Sequence, residues 1–413
     1  LKGQAAWSPK LTADANLTMD SFPWFSLLPE MQTPPVNIDS LTLDAHWQDQ
    51  RYSATLTATT GGTVGDAHIQ TELEGDLQQL TVSNLQLQTG AGALTGNATI
   101  DLTQPLAWHA VLQLQQFNPG YWLPQLQASL DGSIQSSGRW AQGDSILDMS
   151  TTVDLVGLWH GQATHIKTNA NLKNGRWQVP KLDIAIADNT LTGQAQWGQQ
   201  LQAELNLDLP KPQAIMAGLG GQGSAHLTVT GTAQQPQASL SVSAAKLSWQ
   251  DLQLDNLQLN GKLDSAGAIT SQLQVFDIAA GGQRLEQFNA TLDGTQQQHQ
   301  LALKLNNSEV DIRLTLAGEV DEQWQQWRGA LSLGEILVVE HSQQWQLRKP
   351  AALFYKAAVD DAKAQLTVAE HCWQWQQSSL CAGDQTLLPL ADIEYRITNL
   401  PAQSLAPLLP DTM

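Results

Sequence analysis

Charge is scarce in this sequence. Asp, Glu, Lys and Arg together make 14% of 413 residues, well below the usual quarter, and glutamine fills much of their place. Basic residues are scarcer still, with 20 Lys and Arg against 39 Asp and Glu and a formal net charge of -19. That balance argues against nucleic acid or an anionic bilayer surface as a direct partner, and solubility is its plain explanation. No run of about 20 apolar residues exists, so nothing here crosses a bilayer as a helix. Helical periodicity is nearly absent as well, because no 3.6-residue pattern lasts beyond about twelve residues, and helices are too few to cover both faces of a long sheet.

Chemistry is equally hard to find. There are 2 cysteines, Cys372 and Cys381, too few for a four-ligand zinc site. The 9 histidines are scattered, and the nearest pair, His160 and His165, flanks a glycine turn with no carboxylate cluster beside it. Asp360-Asp361 reads as a solvated hairpin tip. Gly218 to Gly223 is glycine-rich but leads into a strand, which does not make a phosphate cradle. No nucleophile elbow or nucleotide-binding loop appears. The expectation is a protein with no catalytic residues, no metal and no cofactor.

What is present is alternation. In Leu301 to Gly318, the residues Leu301, Leu303 and Leu305 alternate with Ala302 and Lys304. The turn formers Asn306 to Ser308 follow, and then Val310, Ile312, Leu314 and Leu316 alternate with Asp311, Arg313 and Thr315. Strand side chains point to opposite faces in turn, so this is a hairpin with one apolar face. By the same pattern Leu252, Leu254, Leu257 and Leu259 line that face. A hairpin alone buries too little to offset chain entropy, so the face needs further strands or a ligand against it.

Alternating runs continue along the chain: Leu41 to Ala45 with Tyr52 to Ala58, His68 to Leu73, Leu80 to Leu87, Ala93 to Leu102, then Trp108 to Leu114. Later runs include Gly161 to Leu172, Trp177 to Ile186, Ala238 to Ser243 and Ile269 to Phe276. Apolar, proline-containing insertions begin near Pro23, Pro119, Pro210 and Pro401, a period of roughly 95 residues with one member missing or degenerate near residue 300, and turns at Leu94-Thr95-Gly96 and Leu191-Thr192-Gly193 keep about the same period. The first insertion, Asp20 to Glu30, reads as a short amphipathic turn or helix. An internal repeat follows from this spacing. Segments fall at 1–117, 118–209 and 210–400, with 401–413 opening a further repeat. The expected fold is all-β: an elongated, twisted amphipathic sheet with few short helices.

Tryptophan is frequent, at 15 residues. Trp47, Trp177 and Trp249 read as mid-strand, whereas Trp324 with Trp327 and Trp373 with Trp375 form tight sets. These either pack rims and edges or form an aromatic lip on a lipid-binding surface. Cys372 and Cys381 sit on neighbouring strands, where a local disulfide and two free buried thiols both fit.

The run from Gly294 to Cys381 resembles the TamB family, within the AsmA-like group. The matching residues are Gly294-Thr295 with His299, Gly318, Trp324 and Trp327 with Gly329, Trp345-Gln346-Leu347 before Pro350, and Cys372-Trp373 with Cys381. Upstream, Leu94-Thr95-Gly96, Leu106-Ala107-Trp108, Asn118-Pro119, Gly132 and Gly138 fit the family's looser repeat. The resemblance implies a sheet curled into a U-shaped, taco-like trough with a hydrophobic interior. It implies a middle periplasmic segment of an inner-membrane-anchored protein about three times as long, whose contact with the outer-membrane barrel TamA lies outside this stretch. It also implies carriage of phospholipid acyl chains between the membranes, or help in inserting outer-membrane proteins. The alternatives are a scaffold acting by strand augmentation and a purely structural β-solenoid. A periplasmic setting makes the Cys372–Cys381 disulfide the expected state.

Overall fold

The computed structural model describes residues 2–6, 11–21, 37–61, 67–121, 126–141, 146–340, 342–359 and 362–401. The insertion near Pro23 and the Asp360-Asp361 pair lie outside these residues, as does most of 401–413. The chain divides into two compact units, Leu1–Leu207 and Asp208–Met413.

The first unit is a ladder of antiparallel strands in chain order. β1 (Lys2–Ala6), β2 (Thr12–Asp20), β3 (Asn37–Gln48), β4 (Arg51–Gly61) and β5 (Ala67–Asp76) open it. β6 (Gln79–Thr89), β7 (Gly92–Asp101), β8 (Leu106–Phe117) and β9 (Ala128–Trp140) continue, followed by β10 (Ile146–Trp159), β11 (Gln162–Lys173), β12 (Arg176–Ile186) and β13 (Asn189–Trp197). Each strand from β1 to β13 pairs with the next. Register shifts interrupt several pairings, and Asn84 and Gln116 adopt left-handed backbone where β6 and β8 bulge. β14 (Gln202–Leu209) spans the division between the units.

In the second unit β15 (Gly220–Gly231), β16 (Pro236–Trp249), β17 (Leu252–Leu263), β18 (Ile269–Ala280), β19 (Gln283–Gly294), β20 (His299–Asn306), β21 (Val310–Val320) and β22 (Gln326–Val338) pair in the same sequential way. Then the sheet forks. One half of β22 pairs with β23 (Gln343–Leu347) and the other half with β24 (Ala351–Lys356). β25 (Gln365–Val368), β26 (His371–Trp375), β27 (Ser378–Ala382), β28 (Gln385–Leu388) and β29 (Arg396–Thr398) complete the two branches. One branch runs β23–β26–β27–β29 and the other β24–β25–β28.

No α-helix occurs among the described residues, and the insertions at Pro119 and Pro210 carry short 3-10 turns at Pro119–Tyr121 and Pro212–Ala214. The all-β, antiparallel reading holds in each unit. The two Leu-Thr-Gly motifs, however, are not turns: both lie inside strands, β7 and β13. Their glycines serve close strand approach. A Cβ on Gly96 would stand 2.5 Å from the Val111 carbonyl oxygen, and one on Gly193 would stand 2.1 Å from that of Glu204. Trp47, Trp177 and Trp249 also sit at hairpin ends rather than mid-strand. There Trp47 stacks on Tyr52 across one hairpin, and Trp177 meets Trp197 on the neighbouring strand.

Candidate functional site: a half-open apolar face

The β20–β21 hairpin forms as its alternation dictates. Asn307 Oδ1 accepts the backbone N–H of Glu309 at 2.9 Å and of Val310 at 2.7 Å, which closes the turn and sets the register. Leu301 then faces Leu316, Leu303 faces Leu314 and Leu305 faces Ile312. On the other face Lys304 pairs with Arg313, whose guanidinium lies 3.2 Å from the Asp311 carboxylate.

In-register pairing carries these residues across the unit. One row runs Val242, Leu259, Leu273, Ala290, Leu303, Leu314 and Gly334 from β16 to β22. Beside it lies Ala244, Leu257, Val275, Phe288, Leu305, Ile312 and Ile336, and Val310 continues beyond Ile312 against Val338. On the opposite side lies Leu240, Gly261, Ser271, Leu292, Leu301, Leu316 and Leu331. A fourth row, at the edge, runs Leu263, Ile269, Gly294, His299, Gly318 and Gly329. Four rows two residues apart make a face about 20 Å wide.

Most of these side chains are half-buried, and from β16 to β21 Ala244 and Val275 are the fully buried apolar ones. A filled core would bury nearly all of them.

The structure brings Leu257, Leu259, Leu301, Leu303, Leu305, Val310, Ile312, Leu314 and Leu316 into this face. Leu252 and Leu254 lie farther along β17, beyond these rows. Leu252 is 41% exposed at the hairpin end opposite Trp249, and Leu254 pairs with Leu247. Between Leu254 and Leu257 the ladder lapses at Asp255, where Lys246 and Asp277 in the flanking strands adopt left-handed backbone. Leu254 instead borders a cleft of about 390 Å³ with Lys246, Asp255, Asp277 and Arg284, and Arg284 pairs with Asp277 at 3.0 Å. Placing all four leucines on one face overlooks the step of three residues from Leu254 to Leu257, which strict period-2 counting assigns to opposite faces.

A longer row in the first unit joins alternating runs that the sequence marks singly but does not align. It runs Met19, Leu41, Ala58, Ile69, Leu87, Leu94, Leu114, Gly132, Leu155, Ile166, Ile184 and Leu191, one residue from each strand β2 to β13. Its middle is its most buried part, around Leu114, Ala128, Leu130 and Leu155. The signal was an aliphatic in phase on nearly every strand, diluted by Ala and Gly.

Tryptophans cover glycines on their own or a nearby strand. Trp327 lies over Gly318 and Gly329, Trp108 over Gly138 and Trp373 over Gly334, each ring filling the place of a missing side chain. Trp327 Nε1 donates to His299 Nε2 at 2.7 Å, which leaves His299 Nδ1–H to donate to the Thr295 carbonyl at 3.0 Å. The recurrent Gly, His and Trp residues of the 294–373 stretch thus form contacts with one another. Cys372 and Cys381 face each other on β26 and β27 and are joined by a disulfide.

Elsewhere the polar groups pair locally. His165 Nε2 lies 2.9 Å from Asp183, and this hydrogen bond holds the Asp183 carboxyl below its ordinary value. His371 is buried, with Nδ1 donating to the Ala369 carbonyl and Nε2 accepting from Tyr395. No group of three or more metal-ligating side chains gathers among the described residues, and none of their helices is long and apolar enough to cross a membrane.

An antiparallel ladder with one polar face and one half-open apolar face defines an amphipathic β-sheet protein. The family described as TamB, N-terminal domain, matches residues 1–413, and the chain belongs to it. A relative is the translocation and assembly module subunit TamB of Haemophilus influenzae, 24% identical over 381 residues. The match covers 89% of this chain and 28% of that relative, so the chain spans under a third of the relative's length. No solved structure matches.

Proposed function

We propose that the protein carries phospholipid acyl chains on its apolar face, as a periplasmic segment of a longer, inner-membrane-anchored bridge to the outer membrane. In this reading it supports outer-membrane protein assembly with TamA through regions outside this chain, and it works as a surface, without catalysis. The observation that carries the reading is the set of apolar rows on β16 to β21, continuous across strands and half-exposed. Their width of about 20 Å accommodates an acyl chain, which fills roughly half of a hydrocarbon core about 30 Å thick. The net charge of -19 keeps the polar side in water and away from anionic headgroup surfaces.

Strand augmentation finds less support. From β2 to β12 and from β16 to β21 each strand already has a partner on both edges. A structural solenoid would fill its own interior, and these rows are not filled.

Native mass spectrometry with lipid extraction, on protein purified from cells, tests the reading. Phospholipid should co-purify, and Leu303→Asp should release most of it while the protein stays folded. Protein free of lipid, or unchanged lipid in the folded Leu303→Asp variant, would sink the proposal.

A further inference from the structure

The apolar rows do not end at an open edge in the second unit; they run into the fork. The row through Leu301 and Leu316 reaches Leu331 and then Ala351, which are 9% and 1% exposed. The row through Leu303 and Leu314 reaches Gly334, and there the Trp373 ring stands 2.4 Å from where a Cβ would be. The row through Leu305 and Ile312 passes Ile336 to Trp345, which is 9% exposed. Trp345 and Trp373 come from one branch of the fork, Ala351 and Val368 from the other, and together with Leu331 they form a single buried cluster. A face that is half-open from β16 to β21 becomes a closed core at β22.

We propose that the acyl-accessible surface of this unit stops at β22, and that Trp345 and Trp373 stop it. Trp373 occupies over Gly334 the kind of apolar place that remains uncovered farther back along the row, so the chain itself fills the site. An acyl chain lying over Leu273 or Leu303 therefore advances past Leu331 only if the two branches part. This inference rests on the lipid reading above and adds to it a boundary with named residues.

The test uses the full-length protein with a photo-reactive benzoylphenylalanine placed, one at a time, at Leu273, Leu303, Leu331 and Leu353. The probe is vesicles of palmitoyl-oleoyl-phosphatidylcholine with tritiated acyl chains. Adducts at Leu273 and Leu303 should exceed those at Leu331 and Leu353 at least fivefold. Trp373→Ala should raise the Leu331 adduct to within twofold of the Leu303 adduct, and Trp373→Phe should restore the difference. An intact Cys372–Cys381 disulfide and a single thermal transition establish that each variant is folded, and a variant that fails either is replaced by Trp345→Leu. Equal adducts at all four positions would overturn the boundary while leaving the lipid reading standing. Adducts at none would overturn both, and no gain in the folded Trp373→Ala variant would overturn the role of the tryptophan.

Discussion

The ladder from β16 to β21 and the fork from β22 to β29 use the same strands to opposite ends. In the ladder, five successive pairings keep register without a shift, and the apolar side chains remain half-exposed. In the fork, short strands of three to six residues form two branches beyond β22 and bury Leu331, Trp345, Ala351, Val368 and Trp373 between them. The difference lies in what covers the apolar face. Aliphatics over a single layer stay available to a ligand, whereas two tryptophans and a second branch consume the same face internally. Stability in the ladder therefore comes mainly from backbone pairing and cross-strand contacts, and in the fork from a packed interior.

A buried charge should separate the two regions most sharply. Leu331→Asp places an unpaired carboxylate in the closed cluster, where the cost of several kcal/mol should abolish soluble folded protein. Ile312→Asp, on the half-open face, keeps access to water and should cost roughly 1 kcal/mol. Soluble yield and thermal midpoint of both variants check this, and equal collapse would mean that the ladder is also filled.

Truncation gives a smaller contrast in the same direction. Trp373→Ala should lose about 3–5 kcal/mol, as large aromatic deletions from packed cores do, whereas Leu303→Ala should lose no more than about 2 kcal/mol. Urea unfolding followed by intrinsic fluorescence reads the difference, and a Leu303→Ala loss matching that of Trp373→Ala would erase the distinction.

The disulfide should stabilise the fork alone. It closes a short loop, with a sequence separation of 9, so Cys372→Ser with Cys381→Ser should cost at most about 2–3 kcal/mol. Hydrogen exchange should quicken in β26 and β27 and stay unchanged in β16 to β21. Titration of the denatured, unreduced protein should find no free thiol, and two thiols would refute the bond.

The smallest effect belongs to the first unit's polar face. His46 Nδ1 lies 2.6 Å from Asp14, and that hydrogen bond raises the imidazole above its ordinary value. A raised value means that the contact's contribution is present at low pH and is lost as pH rises through the folded pKa. Proton NMR should find His46 titrating above about 6.5 and Asp14→Asn returning it toward that value. A wild-type His46 at the ordinary value would contradict the contact.

Much of the ladder is legible in the sequence because period-2 alternation is a local property: Leu301 to Leu316 dictates its own hairpin. The break at Asp255 is only half legible: the change of phase between Leu254 and Leu257 is written in the sequence, but its backbone cause lies in Lys246 and Asp277, which take left-handed conformations in two other strands. The strand role of Gly96 and Gly193 is not legible, since a glycine that admits a neighbouring carbonyl looks in one dimension like a glycine that makes a turn. The fork is the least legible part. Nothing local in Gln343 to Leu347 says that its second partner begins at His371, and the Trp345–Trp373 cluster exists only once that pairing is made. The Cys372–Cys381 bond is intermediate: the adjacency of β26 and β27 allows a disulfide and free thiols alike, and the oxidising setting that the family resemblance implies is what favours the bond.

Chain-order pairing also bears on time. From β1 to β13 each strand needs only the one before it, so the entropy of closing long loops is avoided and the ladder can lengthen strand by strand as chain becomes available. The fork imposes a wait. β23 stays without its second partner until β26 arrives, β25 until β28, and β27 until β29. Until β26 is delivered, the cluster around Leu331, Trp345 and Ala351 lacks Trp373 to close it, and the youngest end of the growing sheet is the one that stays open to water.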